Sequence, residues 1–100
     1  MRVIFTPLAE RNIDELLEYI TARSSEARAD GYINRIIAFC NRLATFPLRG
    51  RQRDDILHGL RVIGFERRVN VAFVVTPDTL LIEGIFYGGR NYEAILRDPK

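Results

Sequence analysis

The sequence predicts an α+β fold of order β-α-α-β-β-β, an antiparallel helical hairpin packed on a mainly antiparallel four-stranded sheet. Three observations predict it. Apolar residues recur at helical spacing in two stretches of the first half. A Ser-Ser link joins those stretches, and period-two alternation fills the second half.

Each element follows in order. Arg2–Thr6 is short, β-branched and aromatic, which reads as a strand. Thr6-Pro7 signals a helix start, with Thr6 as N-cap and Pro7 at the first helical position. Leu8, Ala9, Ile13, Leu16, Leu17 and Ile20 then keep helical spacing to about Arg23. Ser24-Ser25 turns the chain and offers a fresh cap for a second helix, about Glu26 to Ala44, which Phe46-Pro47 stops. So short a link makes the two helices antiparallel. From Leu48 to Gly59 periodicity vanishes, predicting a loop. Leu60–Phe65, Val69–Thr76 and Thr79–Tyr87 are strands separated by hairpin-length links, and Tyr92–Leu96 forms a closing helical turn.

Composition sets the frame. A chain of 100 residues with 47% hydrophobic and 28% charged content has the makeup of one folded domain, residues 1–100, and not of a disordered segment. The opening residues lack a signal-like apolar core, and Val71–Val75 is too short to span a bilayer, so a soluble, unexported protein is expected. Cys40 repeats with Ile33, Ile36, Ile37, Leu43 and Ala44, the buried stripe of a helix, and reads as a core thiol. With 1 Cys and 1 His, no structural zinc site and no other metal or cofactor is expected. The net charge is only +2, but Lys100 is the sole lysine, so the basic surface is arginine, suited to carboxylates and phosphates.

The strands carry an anomaly. Val69, Val71, Phe73 and Val75, with Leu80, Ile82 and Phe86, are expected to face the helices. The opposite set, Ala72, Val74, Leu81 and Ile85, is too apolar for a solvated face. Either the last residues fold back over it or a partner protein covers it, and the partner is the preferred reading.

Three charged or polar constellations stand out. Glu10, Asp14 and Glu18 form an acidic row on the first helix, and Arg28, Arg35 and Arg42 a basic row on the second. The expected arrangement is an electrostatic seam across the hairpin; the alternative is that one row faces a charged partner. Of Arg49, Arg51 and Arg53, with Arg61, Arg67 and Arg68, several are expected to gather near one end of the sheet. There they fit a phosphate backbone or an acidic protein surface equally well, although Asp54 and Asp55 weaken the nucleic-acid reading. His58 with Tyr87, Arg90 and Tyr92 has the residue types for metal-free RNA cleavage, but in too generic a pattern to define a site. No Gly-rich phosphate cradle or nucleophile motif is present.

With those residues in hand, the chain from about Val3 to Leu96 resembles the ParE-type toxins of the ParE/RelE superfamily. The resemblance lies in Thr6-Pro7-Leu8-Ala9-Glu10-Arg11 with Ile13 and Leu16–Ile20, then in Arg42-Leu43, Phe46-Pro47, Gly50-Arg51, Arg53 and Gly59-Leu60-Arg61. It closes with Ile85-Phe86-Tyr87-Gly88-Gly89-Arg90-Asn91, similar to the family's His-Gly-x-Arg-Asp ending. Tyr87 stands where ParE often has His, and Val75 where a Tyr is common.

The resemblance implies a growth-inhibiting toxin of a type II toxin–antitoxin pair, of the kind that stabilises plasmids, cytoplasmic in a bacterium and bound by a ParD-like antitoxin. It implies DNA gyrase as target, and no catalytic residues. Arg51, Arg53, Arg61, Arg90 and Tyr92 are then expected to contact the target. Val74, Leu81, Ile85, Arg28 and Arg35 are expected to contact the antitoxin, and no direct sequence-specific nucleic-acid binding is expected. The RelE branch shares the fold but cuts mRNA on the ribosome, and Tyr92 beyond Arg90 keeps that alternative open. A plain nucleic-acid-binding module using the arginine loop, or a toxin fold without toxicity, is the remaining alternative.

Overall fold

The computed structural model of the protein describes residues 1–97. Strand β1 (Arg2–Phe5) leads into helices α1 (Pro7–Arg23) and α2 (Glu26–Arg42). The short β2 (Arg51–Gln52) follows, then β3 (Leu60–Phe65), β4 (Val69–Val75), β5 (Thr79–Tyr87) and a closing helix α3 (Tyr92–Arg97). The sheet has 5 strands in the order β1-β5-β4-β3-β2. All neighbours are antiparallel except β1, which runs parallel to β5. The predicted fold class is the one found, with β2 as the added strand.

The helix starts form as their residues dictate. Thr6 Oγ1 accepts from the Ala9 amide at 3.2 Å with Pro7 in the first turn, and Ser25 Oγ accepts from Arg28 at 3.1 Å. β2 exists because of Gly50, at φ +81, where any Cβ would lie 2.6 Å from the Val62 carbonyl oxygen. Only glycine lets the loop approach β3 this closely.

The sheet is covered on both faces. On one face, Leu16 of α1 and Ile33, Ile36, Cys40 and Leu43 of α2 pack on Val69, Val71, Phe73, Leu80, Ile82 and Ile85. The Cys40 thiol lies there as expected, its pKa pushed up to about 12 by burial. On the other face, Leu60, Val62, Ala72 and Phe86 pack against Leu96 of α3 and Ile56.

Three expectations are corrected here. Ala72 pairs with Gly84 but Phe73 pairs with Ile82, so Glu83 is an extra residue in β5. That bulge inverts the alternation beyond it. Ile85 turns into the helix-side core at 2% exposure, and Phe86 turns to the opposite face at 1%. Second, the far face is closed over much of its area by the chain's own α3, leaving Val74 and Leu81 half-buried. Third, no ion pair joins the acidic row of α1 to the arginines of α2 among the described residues. Arg35 reaches instead to Glu66 in the β3–β4 turn, a two-pronged bond of 2.9 and 3.0 Å. Both α2 and the turn present these groups at the same end of the sheet, which Glu10 and Asp14, near the start of α1 beside Phe5, do not reach.

Candidate functional site

The predicted arginines do not form one surface. In antiparallel β2 and β3, Arg51 pairs with Val62 and Gln52 with Arg61, so Arg51 shares the α3 face while Arg61 shares the helix face. Arg61 donates to the Arg49 carbonyl at 3.5 Å near the start of β3. Arg67 and Arg68 sit in the turn beyond the other end of that strand, roughly 17 Å away at ~3.4 Å per residue. His58 lies before β3 and Tyr87 at the end of β5, roughly 20 Å apart by the same reckoning, so the His58–Tyr87–Arg90–Tyr92 set is not assembled.

Arg53 is taken up inside the molecule. Its guanidinium donates to Asp55, to Glu93 of α3, and to the Tyr92 hydroxyl at 3.3 Å. Arg51 donates to the same hydroxyl at 3.4 Å, and Arg97 donates to Asp55 at 3.1 Å. The hydrogen bond from Arg53 holds the Asp55 carboxyl down at about 2 and lowers that of Glu93. Tyr92 itself stacks on Phe86 with centroids 5.9 Å apart. This network clasps α3 to the loop after β2. Arg28 is exposed at the start of α2, and Arg35 is held by Glu66.

A second locus is concave. Between α1 and the end of β5 lies a cleft of ≈ 440 Å³, walled by Asn12, Glu15 and Tyr19 on one side and by Arg68, Tyr87 and Arg90 on the other. Leu16 and Ile85 form its floor. Tyr87 packs against Tyr19 (5.8 Å) and Tyr32 (6.2 Å), giving a tyrosine cluster. Burial, and then the neighbouring Tyr87, raises the Tyr32 pKa. Arg23 lies 3.8 Å over the Tyr19 ring and Arg35 5.1 Å over Tyr32. The far wall is held by identifiable contacts. Glu66 and Arg67 turn with φ of 47 and 65, a left-handed pair that suits a tight hairpin, and the Arg35–Glu66 bond pins that turn to α2. The Gly88 amide donates to the Arg68 carbonyl at 2.8 Å, setting Arg90 beside Arg68.

Of the residues singled out in the sequence, this cleft takes Arg68, Tyr87 and Arg90, with Ile85 as floor. Asn12 and Tyr19 lie outside the predicted set. A signal for Asn12 is present in the sequence: it falls at helical spacing between Ala9, Ile13 and Leu16, a polar side chain inside an apolar stripe. Its reason is structural in part, because Oδ1 accepts from the Ile85 amide at 2.9 Å, just past the bulge.

Among the described residues no three His, Cys, Asp or Glu side chains converge as metal ligands, and no helix is long and apolar enough to cross a membrane. The arginines fall into two loci, Arg51 and Arg53 beside α3 and Arg68 and Arg90 at the cleft. A solved structure described as "Chromosomal ParDE TA system from P. aeruginosa" shares the fold with TM-score 0.76 at 19% identity. The match covers 88% of this chain and 96% of that one. No curated protein sequence matches the chain. The family model described as ParE toxin of type II toxin-antitoxin system, parDE, matches residues 3–92. The chain belongs to that family.

Proposed function

We propose that this chain, as a single toxin domain, arrests bacterial growth by binding DNA gyrase and poisoning it, and that a ParD-like antitoxin neutralises it in the cytoplasm. The family match over residues 3–92 carries the reading. The solved relative is described as a ParDE system, which supports a ParD-like partner. Action by binding rather than by chemistry is supported by the separation of His58 from Tyr87, which takes apart the generic acid–base set of the sequence. Target contact falls to Arg51, Arg61 and Arg90, since Arg53 is occupied by Asp55 and Glu93. For the antitoxin, half-buried Val74 and Leu81 and exposed Arg28 keep their roles; Ile85 is withdrawn because it is core, and Arg35 because Glu66 holds it.

The test is a gyrase reaction on closed circular plasmid with ATP and purified, antitoxin-free protein, scored for linear DNA after denaturation. Linear product that requires both proteins is the expected result. Normal supercoiling without cleavage removes gyrase as target. It moves the assay to translating ribosomes, with Tyr92 and Arg90 as the residues to replace.

A further inference from the structure

The cleft between α1 and β5 contains a donor with nothing to donate to. Asn12 is 4% exposed, and its Oδ1 is fixed by the Ile85 amide, which turns Nδ2 the other way. Nδ2 makes no hydrogen bond among the described residues. Every fully buried side-chain nitrogen and oxygen there has a partner, so Nδ2 opens to the cleft that Asn12 lines. A carboxamide this deeply set costs free energy unless its amide protons find an acceptor. The nearest charged groups on the opposite wall are Arg68 and Arg90, and neither forms an ion pair among the described residues. Amide and guanidinium donors thus converge above an apolar floor of Leu16 and Ile85, with the exposed Tyr19 ring at the rim.

We propose that this cleft is the docking site for an extended acidic segment of a partner protein. One carboxylate seats among Asn12 Nδ2, Arg68 and Arg90, and an adjacent apolar side chain lies against the exposed Tyr19 ring at the rim. Planar guanidinium donors match a carboxylate's two oxygens. A phosphate backbone is the poorer fit, because Glu15 on the same wall repels a polyanion while leaving a single carboxylate room beside the arginines. The inference goes beyond the gyrase reading and does not rest on it: either can fail with the other intact.

The experiment follows the side-chain amide pair of Asn12 by NMR in the 15N-labelled full chain. The probes are capped octapeptides with one Asp or Glu between apolar residues, matched peptides with Asn or Gln, and a hexathymidylate. The acidic peptides are expected to shift the Asn12 pair, with the amide-matched peptides about tenfold weaker. Arg90→Gln, at an exposed position, weakens the acidic peptides by about tenfold. Asn12→Asp, which keeps an acceptor for Ile85 but places a second oxygen in the cleft, abolishes binding, read in that variant from the backbone amides of Gly88 and Arg90 on the cleft wall. The proposal is overturned if no acidic peptide moves the Asn12 signals at ~1 mM, the weak end of measurable binding. Equal binding of acidic and amide peptides also overturns it, as does preferential binding of the hexathymidylate at these residues.

Discussion

Arg53 and Arg90 carry the same guanidinium into opposite surroundings. Arg53 is met by Asp55, Glu93 and Tyr92, so its charge is neutralised within the molecule and helps seat α3. Arg90 stands exposed past Gly88-Gly89 beside Arg68, with no carboxylate paired to either among the described residues. Two like charges left together on a pinned turn are a poor device for stability and a good one for meeting an anion. Arg53 is paired within the molecule, and Arg90 stands where the proposed acidic segment would dock.

The largest expected effect separates the two loci by their supports. Phe86→Ala empties the α3 face of a fully buried ring and is expected to lower stability by ~3–5 kcal/mol, read by urea denaturation. In the folded fraction, Tyr92 and Arg53 lose their fixed setting while the Asn12 signals stay. Loss of both together would mean that the loci are one cooperative unit.

A smaller effect compares the arginines directly. Arg53→Gln is expected to lower the thermal midpoint by a few degrees, because Asp55 and Glu93 are then left facing each other's charge. Arg90→Gln is expected to leave the midpoint unchanged. Calorimetry on both variants checks this, and equal shifts would erase the distinction drawn between them.

The smallest effect is in acid. Asp55 titrates at about 2 in place of the ordinary 3.8, through its hydrogen bond from Arg53. A carboxyl held low adds stability that is fully present above its unfolded pKa and disappears as pH falls through the folded one. Glu93 is shifted the same way. The α3 clasp is therefore expected to hold at pH 5 and to loosen as the pH falls below about 4 toward 2, followed by the near-ultraviolet signal of Tyr92. Loosening above pH 5 would assign the clasp to other groups.

Much of this fold is legible in the sequence because its signals are local. Thr6-Pro7, Ser25 and the two apolar stripes need only their own neighbours to act, and the helices begin where those residues place them. What escapes a reading of the sequence depends on partners far away in the chain. The Glu83 bulge is invisible to a period-two count, yet it decides that Ile85 belongs to the helix core and Phe86 to α3. Gly84 hints at it only once the fold is known: a Cβ there would collide with the Phe86 ring, so the ring lies over bare backbone. The surplus of apolar residues on the second face is real, but alternation alone cannot show that α3 supplies much of its cover. The arginine loop looks uniform in sequence, while Asp55, Glu93 and a two-residue strand divide it in space.

The parallel pairing of β1 with β5 sets the timing of the chain's birth. Among the described residues Arg2–Phe5 find their strand partner far along the chain at Thr79–Ile82, and Thr6 bonds to Glu83 across 77 positions. Asn12 likewise waits for Ile85. A nascent chain cannot close this sheet on β1 until β5 has been synthesised, because the pairing spans so much of the sequence. A product cut short before β5 leaves β1 unpaired and lacks one wall of the cleft.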